Sequence, residues 1–119
     1  MNHVLHIFQG EQVAEISTNN PVIQTAQEFL DAMMNLPADI IVIHQATLHE
    51  SFFDLRSGLA GEILQKVVNY SRRLAIVGDF THYTSKSLQN FIRESNRGNT
   101  VAFASTLRDA VEKLRIRKQ

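Results

Sequence analysis

At 119 residues, with 44% hydrophobic and 20% charged side chains, the chain is long enough to bury a core without a staple and too apolar for disorder, which predicts one folded domain over 1–119. Twelve Lys plus Arg balance twelve Asp plus Glu, so no net field draws nucleic acid or an anionic membrane, and neither is expected as a partner. Cysteine is absent, which removes thiol chemistry, and neither a membrane-length apolar run nor a signal-peptide layout is present, so cytoplasm is the expected location.

In chain order, His3–Phe8 and Val13–Ser17 are β-prone and joined around Gly10, which predicts a hairpin whose sidedness the pattern leaves open, because Val4, Leu5, Ile7 and Phe8 are apolar on both faces. Asn20-Pro21 reads as an N-cap followed by Pro in the first turn, so a helix is expected from there, with Ile23, Ala26, Leu30 and Met33 on one face and Leu36-Pro37 as its end. Asp39–His44, Leu74–Gly78 and Thr100–Ala104 are near-continuous apolar runs, the signature of strands covered on both faces. Helical spacing separates them, in Leu59, Ile63, Leu64, Val67 and Val68, and again in Leu88, Phe91 and Ile92. Ser85 is placed to cap the third helix and Gly98 to close it in the left-handed conformation. Thr106-x-x-Asp109 resembles a capping box before a last helix with Leu107, Ala110, Val111 and Leu114 inward. Its closing cations, Lys113, Arg115, Arg117 and Lys118, read as a solvated helix end, since no aromatic residue interleaves them. The expected fold is a single α/β domain of order β-β-α-β-α-β-α-β-α, with a mixed, mostly parallel five-stranded sheet and helices packed against it.

The stretch Ser51–Glu62 stands where a strand's far end meets a helix start, the usual docking place in an open α/β sheet. Phe52 and Phe53 are adjacent and are expected to point in different directions, which leaves two readings open: one ring is exposed as an interface anchor, or one fills the core and the other covers the helix start. Asp54 and Ser57 read as caps, with an anion or phosphate role for Ser57 as the alternative. Gly58 and Gly61 leave one side of the helix start bare, which suits the close approach of a backbone or ligand and equally suits close helix-to-sheet packing. His44, His49 and His82 fall near strand ends with Asp54 and Asp79, but their spacing matches no zinc motif, so no metal is expected. Asp79, just after Gly78 at a strand's end, is the best enzyme candidate, with Tyr83, Thr84 and Ser105 as nearby hydroxyls.

Phe52-Phe-Asp-Leu55, Gly58-Leu-Ala-Gly-Glu62, Gln65-Lys66, Gly78-Asp-Phe80 and Glu94-Ser-Asn96 together resemble an uncharacterised bacterial family, DUF4180, along almost the whole chain. More distantly, an apolar strand running into Asp54-Leu-Arg-Ser-Gly-Leu59 is similar to STAS domains, whose matching junction carries an Asp-Ser-Ser-Gly-Leu motif phosphorylated on its first serine. Here Ser57 matches the second hydroxyl, and the phosphoacceptor position holds Leu55 or Arg56. The STAS resemblance thus implies partner docking rather than phosphorylation by that route.

Two functions follow as expectations. The first is a regulatory or protein-interaction module whose corner at 51–62, through Phe52, Phe53, Asp54, Arg56, Ser57 and Gly58, meets a protein partner or its own copy. The second is a small enzyme or ligand-binding domain using a crevice formed by Asp54, Ser57, Asp79 and His82. Neither implies a cofactor.

Overall fold

The structure is a computed structural model describing residues 2–116, with side chains described through Leu114. Five strands lie in sequential order: β1 (Val4–Phe8), β2 (Glu11–Ile16), β3 (Ile40–His44), β4 (Arg73–Val77) and β5 (Val101–Ala104). β1 runs antiparallel to β2, and β2 to β5 are parallel. Four helices follow β2 to β5 in turn: α1 (Ala26–Met34), α2 (Leu59–Asn69), α3 (Lys86–Arg97) and α4 (Leu107–Ile116). This is the expected α/β order with a mixed, mostly parallel sheet.

The hairpin loop has two residues, Gln9 and Gly10, with φ of 49° and 87°, the pair of positive angles that matches the twist of flanking strands. Its register resolves the sidedness. Val4, His6 and Phe8 share a face with Val13 and Glu15, while Leu5 and Ile7 point to the other.

The first helix starts five residues later than Asn20-Pro21 predicts. Ile23 is buried in a parallel bridge with Leu48, which keeps it out of the helix. Thr25 is the real N-cap, in a capping box in which Thr25 Oγ1 accepts from Glu28 N–H and Glu28 accepts from Thr25 N–H. Phe29 and Met33 form the buried face. At the other end of α1, the Arg72 guanidinium donates to the carbonyls of Met33, Leu36 and Ala38 at 3.2, 3.4 and 3.0 Å, which ties the chain leaving α1 to the segment that enters β4.

Helices α1, α2 and α3 cover one face of the sheet. Phe29, Met33, Ile63, Val67 and Leu88 pack there on Ala14, Ile16, Ile41, Ile43, Leu74, Ile76, Val101 and Phe103. Helix α4 covers the other, its Ala110, Val111 and Leu114 lying on Ile40, Val42, Ala75 and Ala102, where the alanines let helix and sheet approach. Ser85 caps α3 by accepting from Leu88 N–H at 3.2 Å, and Thr106 accepts from Asp109 N–H at 3.1 Å at the start of α4. Gly98 closes α3 with φ of −83°, not in the left-handed region, so its expected role there is corrected. Of the basic end, Lys113 reaches back to the sheet, its Nζ donating to the Phe103 carbonyl at 3.0 Å, while Arg117 and Lys118 lie outside the described residues.

Because α4 lies over β3 to β5, the β1–β2 part of that face is left partly open, and a carboxylate bridges it. Glu15 accepts from His6 Nε2 at 2.8 Å and from His44 Nε2 at 2.6 Å, with its side chain 19% exposed. Burial pushes the Glu15 carboxyl up, but the hydrogen bonds and charges of His44 and His6 outweigh it and leave the pKa lowered. A lowered folded-state pKa contributes stability above the ordinary Glu value of 4.5 that is lost as pH falls through the folded value. Glu15→Gln is therefore expected to reduce the fall in urea midpoint below that pH, and a variant whose acid limb overlays the parent would reject the bridge as its source.

Candidate functional site

The junction between β3 and α2 is not a single strand-to-helix turn. Three short 3-10 turns occupy it, Gln45–Thr47, Glu50–Phe53 and Leu55–Ser57, and side chains cap the starts of the second and the third. His49 Nδ1 accepts from Ser51 N–H at 3.0 Å, and Asp54 Oδ1 accepts from both the backbone N–H and Nε of Arg56 at 3.2 Å. Gly58, at φ 82°, turns the chain into α2 in a conformation that side chains resist, although a Cβ there would meet open space.

Phe52 and Phe53 are both buried, at 0% and 5% exposure, which corrects the expectation of an exposed anchor. The 3-10 turn lets adjacent rings enter one core: they meet edge to face at 5.0 Å, and Phe53 stacks on Tyr83 at 5.1 Å. Asp54 and Arg56 are exposed and paired with each other, and the Arg56 side chain and then its backbone N–H hold the Asp54 carboxyl below its usual range. Ser57 Oγ donates to the Ser51 carbonyl at 2.6 Å and accepts from Leu59 N–H at 3.2 Å, so its hydroxyl is engaged within the corner, while the N-cap position of α2 itself is Gly58. Gly61 is exposed, and an added Cβ would meet nothing within 4 Å, which corrects the expectation of close packing there. Gly61→Ala is accordingly expected to stabilise the domain by about 0.5–1 kcal/mol through helix propensity, measurable as a higher urea midpoint, and a destabilised variant would refute the open site.

The histidines stand apart: His44 on Glu15, His49 on Ser51, and His82 exposed with its ring 4.2 Å from Tyr83. Among the described residues no group of three or more His, Asp or Glu is placed to hold a metal ion. Asp79 closes its own turn, accepting from Thr81 Oγ1 at 2.6 Å and Thr81 N–H at 3.0 Å, and these bonds lower its pKa.

Gln45 and Glu50, which the sequence pattern does not single out, join Asp79 and Tyr83 in locking the C-terminal ends of β3 and β4 together. Gln45 Oε1 accepts from Asp79 N–H at 3.0 Å, Gln45 Nε2 donates to the Tyr83 hydroxyl at 3.1 Å, and that hydroxyl donates to Glu50 at 3.1 Å. Burial pushes the Tyr83 phenol's pKa up and the neighbouring Glu50 adds to this, while the Gln45 contact works against it. Gly78 makes the lock fit, since a Cβ there would lie 2.6 Å from Gln45 Cβ. Nothing in the sequence pattern links Gln45 to Gly78, because the contact exists only once β3 and β4 pair.

Beside this lock is a cleft of about 490 Å³. After β4 the chain runs to α3 on one face of the sheet, and after β5 it runs to α4 on the other, so the two connections diverge. That divergence is where an open α/β sheet forms a crevice outside its strand ends. Gly78, Asp79, Phe80 and Thr81 line it from β4's end, Phe103, Ala104 and Ser105 from β5, Gln89 and Ile92 from α3, and Lys113 from α4. Of the predicted crevice residues only Asp79 is here, because Asp54 and Ser57 belong to the corner and His82 turns to Tyr83. A second hollow of about 370 Å³ at the strands' opposite ends includes Glu11 and Arg73, which already pair at 3.1 Å.

Fold and cleft together define an α/β domain with a sequentially ordered sheet and one divergent pair of strand connections. The chain belongs to the family of the domain of unknown function DUF4180, whose model matches residues 8–114. No curated protein and no solved structure matches it. Among the described residues, no helix is long and apolar enough to cross a membrane.

Proposed function

We propose that this chain is a regulatory binding module whose cleft between the ends of β4 and β5 receives a small molecule with a flat apolar body and an anionic group. The observation that carries this is the position of the cleft at the divergence of the β4 and β5 connections, with Phe80, Ile92 and Phe103 as apolar walls and Lys113 at its side. An ammonium has three donors, and one of Lys113's goes to the Phe103 carbonyl, so the group retains capacity for a ligand carboxylate. An enzyme built on Asp54, Ser57, Asp79 and His82 has less support, since those groups are dispersed and engaged in turns and caps.

The regulatory part rests on continuity. Phe80 packs edge to face on Phe103 at 5.3 Å and lies 5.9 Å from Phe53, so a ligand touching Phe80 presses on the corner at 51–62. The STAS resemblance points to the same corner as the surface a protein partner reads.

Titration of indole-3-acetate into the labelled protein is expected to shift the amides of Gly78, Thr81, Gln89 and Ser105, followed by those of Asp54 to Gly58. Lys113→Met should weaken this acid by about tenfold while sparing the neutral analogue 3-methylindole. Shifts confined to the region of Glu11 and Arg73, or none at all, would overturn the reading.

A further inference from the structure

We propose that β1 is a pairing edge for a second copy of this chain, joining two sheets antiparallel about a twofold axis at His6. The two edges of the sheet are built differently. On β5 the Phe103 N–H donates to Asn96 Oδ1 at 2.7 Å and the Phe103 carbonyl accepts from Lys113 Nζ at 3.0 Å, so side chains occupy both backbone groups of Phe103 that another strand would need. On β1 nothing comparable is present among the described residues. It lies at the end of the sheet, carries neither Lys nor Pro, and exposes Val4, Leu5 and Ile7 at 57%, 47% and 72%.

The hairpin turn determines which backbone groups face outward. A two-residue turn closes on the hydrogen-bonded pair Phe8 and Glu11, so Phe8, His6 and Val4 direct their N–H and C=O groups to β2, and Leu5 and Ile7 direct theirs to the open edge. A second strand must set outward residues opposite outward residues. Three antiparallel registers do so with Leu5 or Ile7: Leu5 on Leu5, Ile7 on Ile7, or Leu5 on Ile7. The first places Val4 opposite His6, and the second places His6 opposite Phe8 and Leu5 opposite Gln9. Only the third pairs apolar with apolar throughout, Leu5 on Ile7 and Val4 on Phe8, with His6 on His6 at the axis. The sequence Val-Leu-His-Ile-Phe reads as the same apolar pattern in both directions, which is what a self-pairing strand requires. His6 is compatible with the axis because its ring is drawn to Glu15 on β2, away from the edge.

The wild-type chain is expected to show concentration-dependent association in sedimentation equilibrium, approaching twice its 13.5 kDa mass. Ile7→Lys should remain monomeric with an unchanged thermal melt, since Ile7 is 72% exposed in the single chain. Register has its own test, because the chain has no cysteine. At the axis the two His6 Cα atoms would lie about 4.5 Å apart, within disulfide reach, so His6→Cys should cross-link on mild oxidation. Val4→Cys should not, its two copies standing about 13 Å apart in that register. A wild-type monomer up to on the order of 1 mM would overturn the proposal and leave the edge to another partner. So would a dimer that survives Ile7→Lys, or Val4→Cys cross-linking as readily as His6→Cys.

Discussion

Phe52→Ala is expected to destabilise the domain by about 3–5 kcal/mol, seen as a lower urea midpoint at unchanged slope. The ring is 0% exposed, beneath the start of α2 in the core that α1 to α3 form on the sheet. Its removal forfeits the transfer free energy of the ring, leaves a cavity, and breaks the edge-to-face contact with Phe53 at 5.0 Å, itself worth about 0.5–1.5 kcal/mol. The corner can relax little, because it is stapled by Ser57 to the Ser51 carbonyl and by Asp54 to Arg56. Were Phe52 an exposed anchor, alanine would leave stability within about 0.5 kcal/mol, and that result would reject the buried placement.

Gly78→Ala is expected to cost about 1–3 kcal/mol, with Gly78→Val worse. The new Cβ would lie 2.6 Å from Gln45 Cβ, an atom fixed directly to the backbone just beyond β3. Gln45 cannot swing away without abandoning Asp79 N–H and the Tyr83 hydroxyl, so the substitution forces a choice between overlap and broken hydrogen bonds. A double-mutant cycle isolates the cause. Gln45→Gly removes the colliding Cβ, so the Gly78→Ala penalty should shrink in that background, and full additivity would place the cost elsewhere. The same glycine borders the cleft, so Gly78→Ala should also weaken indole-3-acetate binding beyond what the stability loss explains.

The two glycines contrast in a way the sequence did not distinguish. Gly61 looked like a packing glycine and faces open space, whereas Gly78 looked like a strand-end residue and is the tight one. A bare position shows its purpose only when its neighbours in space are known. Phe52 and Phe53 make the same point, since their sequence adjacency suggested opposite directions and a 3-10 turn placed both inside. At the start of α1, Asn20-Pro21 is a good local signal, and it lost to Thr25-x-x-Glu28 because Ile23 was needed in a bridge to Leu48, a partner twenty-five residues away.

By itself the sequence determined what local chemistry decides. The near-continuous apolar runs became β3, β4 and β5, the 3.6-residue stripes became α2, α3 and α4, and Ser85 and Thr106 capped the helices they precede. Each of these depends on residues within one or two turns of each other. The tertiary structure alone decided the sheet's sequential order, the divergence of the β4 and β5 connections that opens the cleft, and the bridge from His6 through Glu15 to His44. It also decided that Asn96 and Lys113 occupy one edge of the sheet while β1 stays open at the other. Those features join residues distant in the chain, and their energies depend on distances that exist only after the strands have paired.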